Sequence, residues 1–117
     1  MAIVEARVGA GRGFDGKGRK WSAGLYELLG YHPYPGTLNL SIRPALHYNQ
    51  MRNTCCPFPD FHCAPCQIKS HSCHCCYSVY RKQVPYISTL YVLSATSLRD
   101  AMGLRDRDRL QVHLVDS

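Results

Sequence analysis

Leu29-Gly30-Tyr31-His32-Pro33-Tyr34-Pro35-Gly36-Thr37-Leu38-Asn39-Leu40-Ser41-Ile42 changes character halfway along. In the first half each proline fixes its own φ and pushes the residue before it towards extended geometry, so residues 32–36 read as a rigid turn. In the second half Leu38, Leu40 and Ile42 alternate with Asn39 and Ser41, the period of a half-buried strand. Thr37 and Asn39 lie two apart on that strand, so their side chains share a face.

The same reading extends in both directions. Residues 3–8 form a short strand, followed at once by Gly9-Ala10-Gly11-Arg12-Gly13, whose glycines permit a loop in which backbone amides approach an anion closely. From Trp21, the spacing of Leu25, Leu28 and Leu29 gives the stripe of a short amphipathic helix, which Gly30 stops. Residues 44–81 show no clean period and concentrate Pro, Cys and His, which predicts loops with one or two short strands. Residues 87–93 are a continuous apolar run suited to a buried strand. Thr96 or Ser97 then caps a short helix carrying Leu98, Ala101 and Met102, and Gly103 ends it. Residues 104–109 turn through alternating charge, and Leu110, Val112 and Leu114 give a last strand with one apolar face. Short strands separated by turns, with two small helices and no long crossover, predict a mainly β protein closed into a barrel with helices plugging its ends.

At 117 residues the chain suffices for one domain with one modest core, 1–117, and shows no internal repeat or linker. No segment approaches the roughly 18 apolar residues of a membrane span, and residues 1–8 carry Glu5 and Arg7 where a signal peptide is apolar. A soluble, cytoplasmic protein is the expectation. The net charge of +6 favours polyanionic partners, and residues 12–20 hold four basic side chains against one Asp. All seven cysteines fall within residues 55–76, an odd count that excludes a complete intrachain disulfide framework.

The order of these parts resembles the CTP-dependent riboflavin kinase family: a glycine loop after the first strand, one helix, the block from Leu29 to Leu40, and a late Ser97-Leu98-Arg99-Asp100 helix. The resemblance is strongest over residues 26–42, fair over 3–14 and 91–115, and nearly absent across the cysteine-rich middle. It implies a six-stranded cradle-loop barrel binding CTP, Mg²⁺ and riboflavin. CTP would be embraced by Gly9, Ala10, Gly11, Arg12, Gly13 and Phe14 together with Thr96, Ser97, Leu98 and Arg99. Mg²⁺ would be held by Thr37 and Asn39. The reaction implied is transfer of the γ-phosphoryl group of CTP to the 5′-hydroxyl of riboflavin. The chemistry agrees, since phosphoryl transfer rests on positioning and charge neutralisation, and Mg²⁺ prefers hard oxygen ligands. Where the family holds its flavin through a Thr and a Glu, this chain aligns Gln83 and Tyr91, and Arg107 stands where the family's closing turn usually has Gly. These departures leave open a different acceptor, or a non-catalytic nucleotide or flavin binder.

Cys63-Ala64-Pro65-Cys66 has the two-residue gap of structural zinc sites, and Cys73, His74, Cys75 and Cys76 follow after a short loop. A structural Zn²⁺ on Cys63, Cys66, Cys73 and Cys76 would brace a Cys/His-rich insertion or long loop at about 53–77. Unligated thiols and a partial disulfide are the other two readings. A zinc-stapled module gripping nucleic acid through Arg12, Lys17, Arg19 and Lys20 is the competing function. The aromatic residues are scattered rather than set out as a base-stacking platform, so small-molecule substrates are favoured over nucleic acid.

Overall fold

The computed structural model describes residues 2–9, 25–34, 36–51, 54–58, 61–78 and 86–115. Its elements run β1 (Ala2–Val8), α1 (Leu25–Leu29), β2 (Leu38–His47), a 3-10 turn (Tyr48–Gln50), β3 (Cys55–Phe58), β4 (Phe61–Ile68), β5 (His71–Ser78), β6 (Tyr86–Leu93), α2 (Leu98–Ala101) and β7 (Arg109–Leu114). The antiparallel order β4-β5-β6-β2-β1-β7 closes on itself where β7 returns to β4. This is the six-stranded barrel expected, and closure leaves no long open edge in the ring. β4 closes it economically. Its later half pairs with β7 through Cys66↔Leu114 and Gln67↔His113, while its first half takes β3 as a seventh strand through Cys55↔Cys63 and Phe58↔Phe61.

Alternation along each strand fills the interior. Val4, Ala6 and Val8 meet Leu38, Leu40, Ile42, Leu90, Val92, Leu110, Val112 and Leu114, all buried in one cluster. A large aliphatic side chain buried this way contributes about 1.5–3 kcal/mol. The apolar faces read from the sequence for β2 and β7 are therefore the ones facing the core.

The middle of the chain corrects the sequence reading. Residues expected as an insertion or long loop form β3, β4 and β5, and β4 and β5 pair along their whole length from Phe61↔Ser78 to Ile68↔His71. The inward positions of that hairpin are Ala64, Cys66 and Ile68 facing Cys73, Cys75 and Tyr77. A free cysteine packs as a small hydrophobe, so the strand period is present but written in thiols rather than in Val and Ile.

A second, smaller core lies on the outer side of the wall, where Leu25 and Leu29 of α1 cover Cys63, Cys76 and Leu93, flanked by Tyr31, Cys55 and Tyr91. Leu28, expected on the helix's apolar stripe, is instead 48% exposed, and Trp21 lies outside the described residues. Gly30 ends α1 with φ +83, the left-handed conformation that favours glycine. Ser97 caps α2 by accepting the Asp100 amide at 3.4 Å, as its sequence position suggested. Among the described residues no helix is long and apolar enough to cross a membrane.

Candidate functional site

Where β1 runs out, the chain stays against β2. The Gly9 amide donates to the Asn39 carbonyl at 2.8 Å, one step beyond the last strand pair, Val8↔Leu40. A Cβ at position 9 would meet the Asn39 carbonyl oxygen at 3.4 Å, an ordinary contact, so it is the hydrogen bond rather than missing volume that ties the two strands here. On the side-chain side, Thr37 Oγ1 donates to Asn39 Oδ1 at 2.9 Å, and both residues are half-buried. Both are hard oxygens of the kind Mg²⁺ prefers, so in donor chemistry the pair would suit that ion, while their 2.9 Å separation is that of their own hydrogen bond.

α2 reaches the same point from the other side. Arg99 Nη2 donates to the Gly9 carbonyl at 3.2 Å, while Nη1 binds Asp106 Oδ1 at 2.9 Å. The segment between α2 and β7 lies along the end of β1, with the Arg107 amide on the Val8 carbonyl and the Val8 amide on the Asp108 carbonyl, both at 2.8 Å. Arg107 adopts φ 71 to make that turn, a left-handed conformation that costs a residue with a Cβ roughly 1–2 kcal/mol. This is the position where glycine would have been expected.

Thr37, Asn39, Gly9 and Arg99 thus meet at one junction. Ala10, Gly11, Arg12, Gly13, Phe14 and Gln83 lie outside the described residues. Of the remaining nucleotide candidates, the Thr96 amide is held by Ser94 Oγ at 3.4 Å, the Ser97 hydroxyl caps α2, and Leu98 is buried in the main core. Leu98 therefore anchors the helix and offers no side-chain atom to a ligand. Tyr91 sits directly across from Asn39 on β6, and Cys76 directly across from Tyr91 on β5. Register partners share a face, so Gly9, Asn39, Tyr91 and Cys76 form one row on the outer wall, ending under α1. The Tyr91 ring packs edge-on against Phe61, with centroids 5.9 Å apart.

The four cysteines proposed for zinc do not meet. Cys63 and Cys66 stand three apart on a strand and so point to opposite faces. Cys63 is joined to Cys76 as a disulfide in the outer core, whereas Cys66 and Cys73 face each other inside the barrel with sulfurs 3.3 Å apart. Among the described residues no group of three or more His, Cys, Asp or Glu could hold a metal ion. Sulfur contacts with Cys73 and Cys75, together with burial, push the Cys66 thiol well up, so it is held neutral and unreactive. Close by, Tyr31 Oη lies 2.8 Å from His74 Nδ1 and 3.1 Å from the Leu93 carbonyl. Burial lowers the His74 pKa and raises that of Tyr31.

Sequence reasoning missed Asp106, which orients Arg99, and the Tyr31–His74 link. The alternating Arg and Asp of residues 105–109 was the available signal for the first. The second depends on pairing between β5 and β6 and left none.

No curated protein matches the chain. The family model for CTP-dependent riboflavin kinases, described as a domain of unknown function, DUF120, matches residues 8–114, nearly the whole chain and including the hairpin that carries little of the motif resemblance. With the barrel and the Gly9, Asn39 and Arg99 junction in place, that match makes this chain a member of the CTP-dependent riboflavin kinase family.

Proposed function

We propose that the protein transfers the γ-phosphoryl group of CTP to the 5′-hydroxyl of riboflavin, giving FMN and CDP. The supporting observation is the junction itself, where Thr37 Oγ1 and Asn39 Oδ1 stand 2.9 Å apart beside the Gly9 end of β1, whose carbonyl Arg99 holds. In the reaction the 5′-oxygen bonds to the γ-phosphorus as the bond from that phosphorus to the bridging oxygen breaks. The electron pair leaves with CDP and the hydroxyl proton passes to solvent. The transition state is loose and its charge is spread over the phosphoryl oxygens, so alignment and neutralisation carry the step.

Each residue's part follows from its surroundings. Thr37 and Asn39 would hold Mg²⁺, which when bound offsets phosphate charge. Arg99 has five N–H donors, and the described contacts to Gly9 and Asp106 occupy two, so it steadies the end of β1 and keeps donors for phosphate or ribose. Tyr91, directly across from Asn39 and in T-shaped contact with Phe61, is the aromatic group of this row that would meet the flavin.

The test is incubation of the purified protein with CTP, Mg²⁺ and riboflavin, with FMN and CDP separated chromatographically. FMN formed in proportion to CDP supports the proposal. CTP binding with no phosphorylated flavin would remove riboflavin as the acceptor while leaving the nucleotide site intact. Tyr91→Ala should raise the KM for riboflavin and leave that for CTP unchanged.

A further inference from the structure

Moving along β1 and β2 away from the junction, the outer face of the wall changes from oxygens to guanidinium groups. Arg7 on β1 stands directly across from Ser41 on β2 and from Arg109 on β7. With Arg43, Glu5 and Ala6 these residues line a groove of about 540 Å³. Arg7, Arg43 and Arg109 are all exposed. Glu5, among the described residues the one carboxylate on the groove, accepts the Gln111 amide at 2.8 Å. Among the described residues no carboxylate pairs with any of the three arginines, whereas Arg99 nearby is paired with Asp106.

Like charges directly opposed on antiparallel strands repel, and Arg7 and Arg109 are such a pair. A bound anion would remove that repulsion. Three guanidinium groups on adjacent strands about 4.8 Å apart cover a patch on the order of 10 Å wide, a size suited to one phosphoryl or diphosphate group gripped by paired N–H donors. A polynucleotide would need contacts spread along several successive phosphates. We propose that this groove is an anion site for the phosphoryl or diphosphate end of a small ligand. It begins two residues beyond Gly9 and Asn39, about 7 Å along the strands, and does not depend on the kinase reading.

The experiment is a titration with inorganic pyrophosphate, without Mg²⁺ and at constant ionic strength set by chloride, followed by the arginine Nε–Hε and backbone amide signals in two-dimensional NMR. The expected result is saturable shifts at Arg7, Arg43 and Arg109 that persist in Asn39→Ala and weaken at least tenfold in affinity in the Arg7→Gln/Arg109→Gln double variant. Thermal unfolding adds a second readout. In chloride alone the double variant should be at least as stable as the wild type, and it should lose the rise in Tm that pyrophosphate gives the wild type. Shifts that grow linearly without saturating would overturn the proposal, as would shifts confined to Gly9 and Asn39 or unchanged affinity in the double variant. Tighter binding of a single-stranded RNA oligomer at the same residues would also overturn it.

Discussion

The β1–β2 junction and the β4–β5 hairpin are both antiparallel pairs in direct register, yet they dispose of their reactive side chains in opposite ways. At the junction the Thr37 hydroxyl and the Asn39 amide oxygen are half-buried at hydrogen-bond distance from each other, and the half-buried Arg99 guanidinium bonds the neighbouring Gly9 carbonyl. In the hairpin the thiols are sealed in two cores, bonded to each other or packed among aliphatic groups. Residue type alone therefore does not mark a site. Orientation on the strand and access to solvent decide whether a polar or sulfur-bearing side chain does chemistry or fills space.

If this contrast is sound, the two regions should respond oppositely to substitution. The largest effect is expected at the junction, where Thr37→Ala or Asn39→Ala should lower kcat/KM for FMN formation by about 10²–10³-fold, roughly 3–4 kcal/mol of transition-state stabilisation, with little change in Tm. In the hairpin the pattern should invert. Cys63→Ala with Cys76→Ala opens a disulfide spanning 13 positions, which should cost about 3 kcal/mol of stability by loop-closure entropy in urea titrations, with kcat per folded molecule retained. A collapse of activity without loss of stability in that variant would break the contrast.

Smaller effects sharpen it. Arg99→Lys keeps the charge but loses the fork that spans the Gly9 carbonyl and Asp106, so the KM for CTP should rise about tenfold, near 1.4 kcal/mol. Arg107→Gly should raise stability by about 0.5–1 kcal/mol in the same urea titrations, because glycine accepts φ 71 without a Cβ penalty but gives up more backbone entropy. The smallest effect is in pH. Burial lowers the His74 pKa from 6.5, so the unfolded chain binds the proton better and stability should fall as pH drops below about 6.5. A His74→Gln variant should flatten that part of the profile.

What was legible follows the same division. The turn at residues 32–36, the alternation of Leu38, Leu40 and Ile42, and the Ser97 cap are local signals, carried by φ restriction, period and capping within a few residues. They gave the barrel, whereas the residues that meet at the junction were singled out by the resemblance to the kinase family. The hairpin was hidden because Cys66, Cys73 and Cys75 occupy inward positions where Val or Ile would have declared a strand. Pairings such as Asn39↔Tyr91 and Cys63↔Cys76 depend on register between strands far apart in sequence, and no local pattern encodes them. Arg107 lies between the two cases. Its place in a turn that favours glycine was readable, but its strain became evident only with its φ.

The claim on which the rest depends is that Gly9, Thr37, Asn39 and Arg99 form one nucleotide and metal site. Its most direct test replaces Mg²⁺ with paramagnetic Mn²⁺ and follows amide line broadening as CTP is added. The account requires broadening centred on Gly9, Thr37 and Asn39 that saturates with CTP and is lost in Asn39→Ala, while Cys66 and Cys73 stay sharp. Broadening centred on the hairpin or on the Arg7 groove, or its persistence in Asn39→Ala, would contradict it.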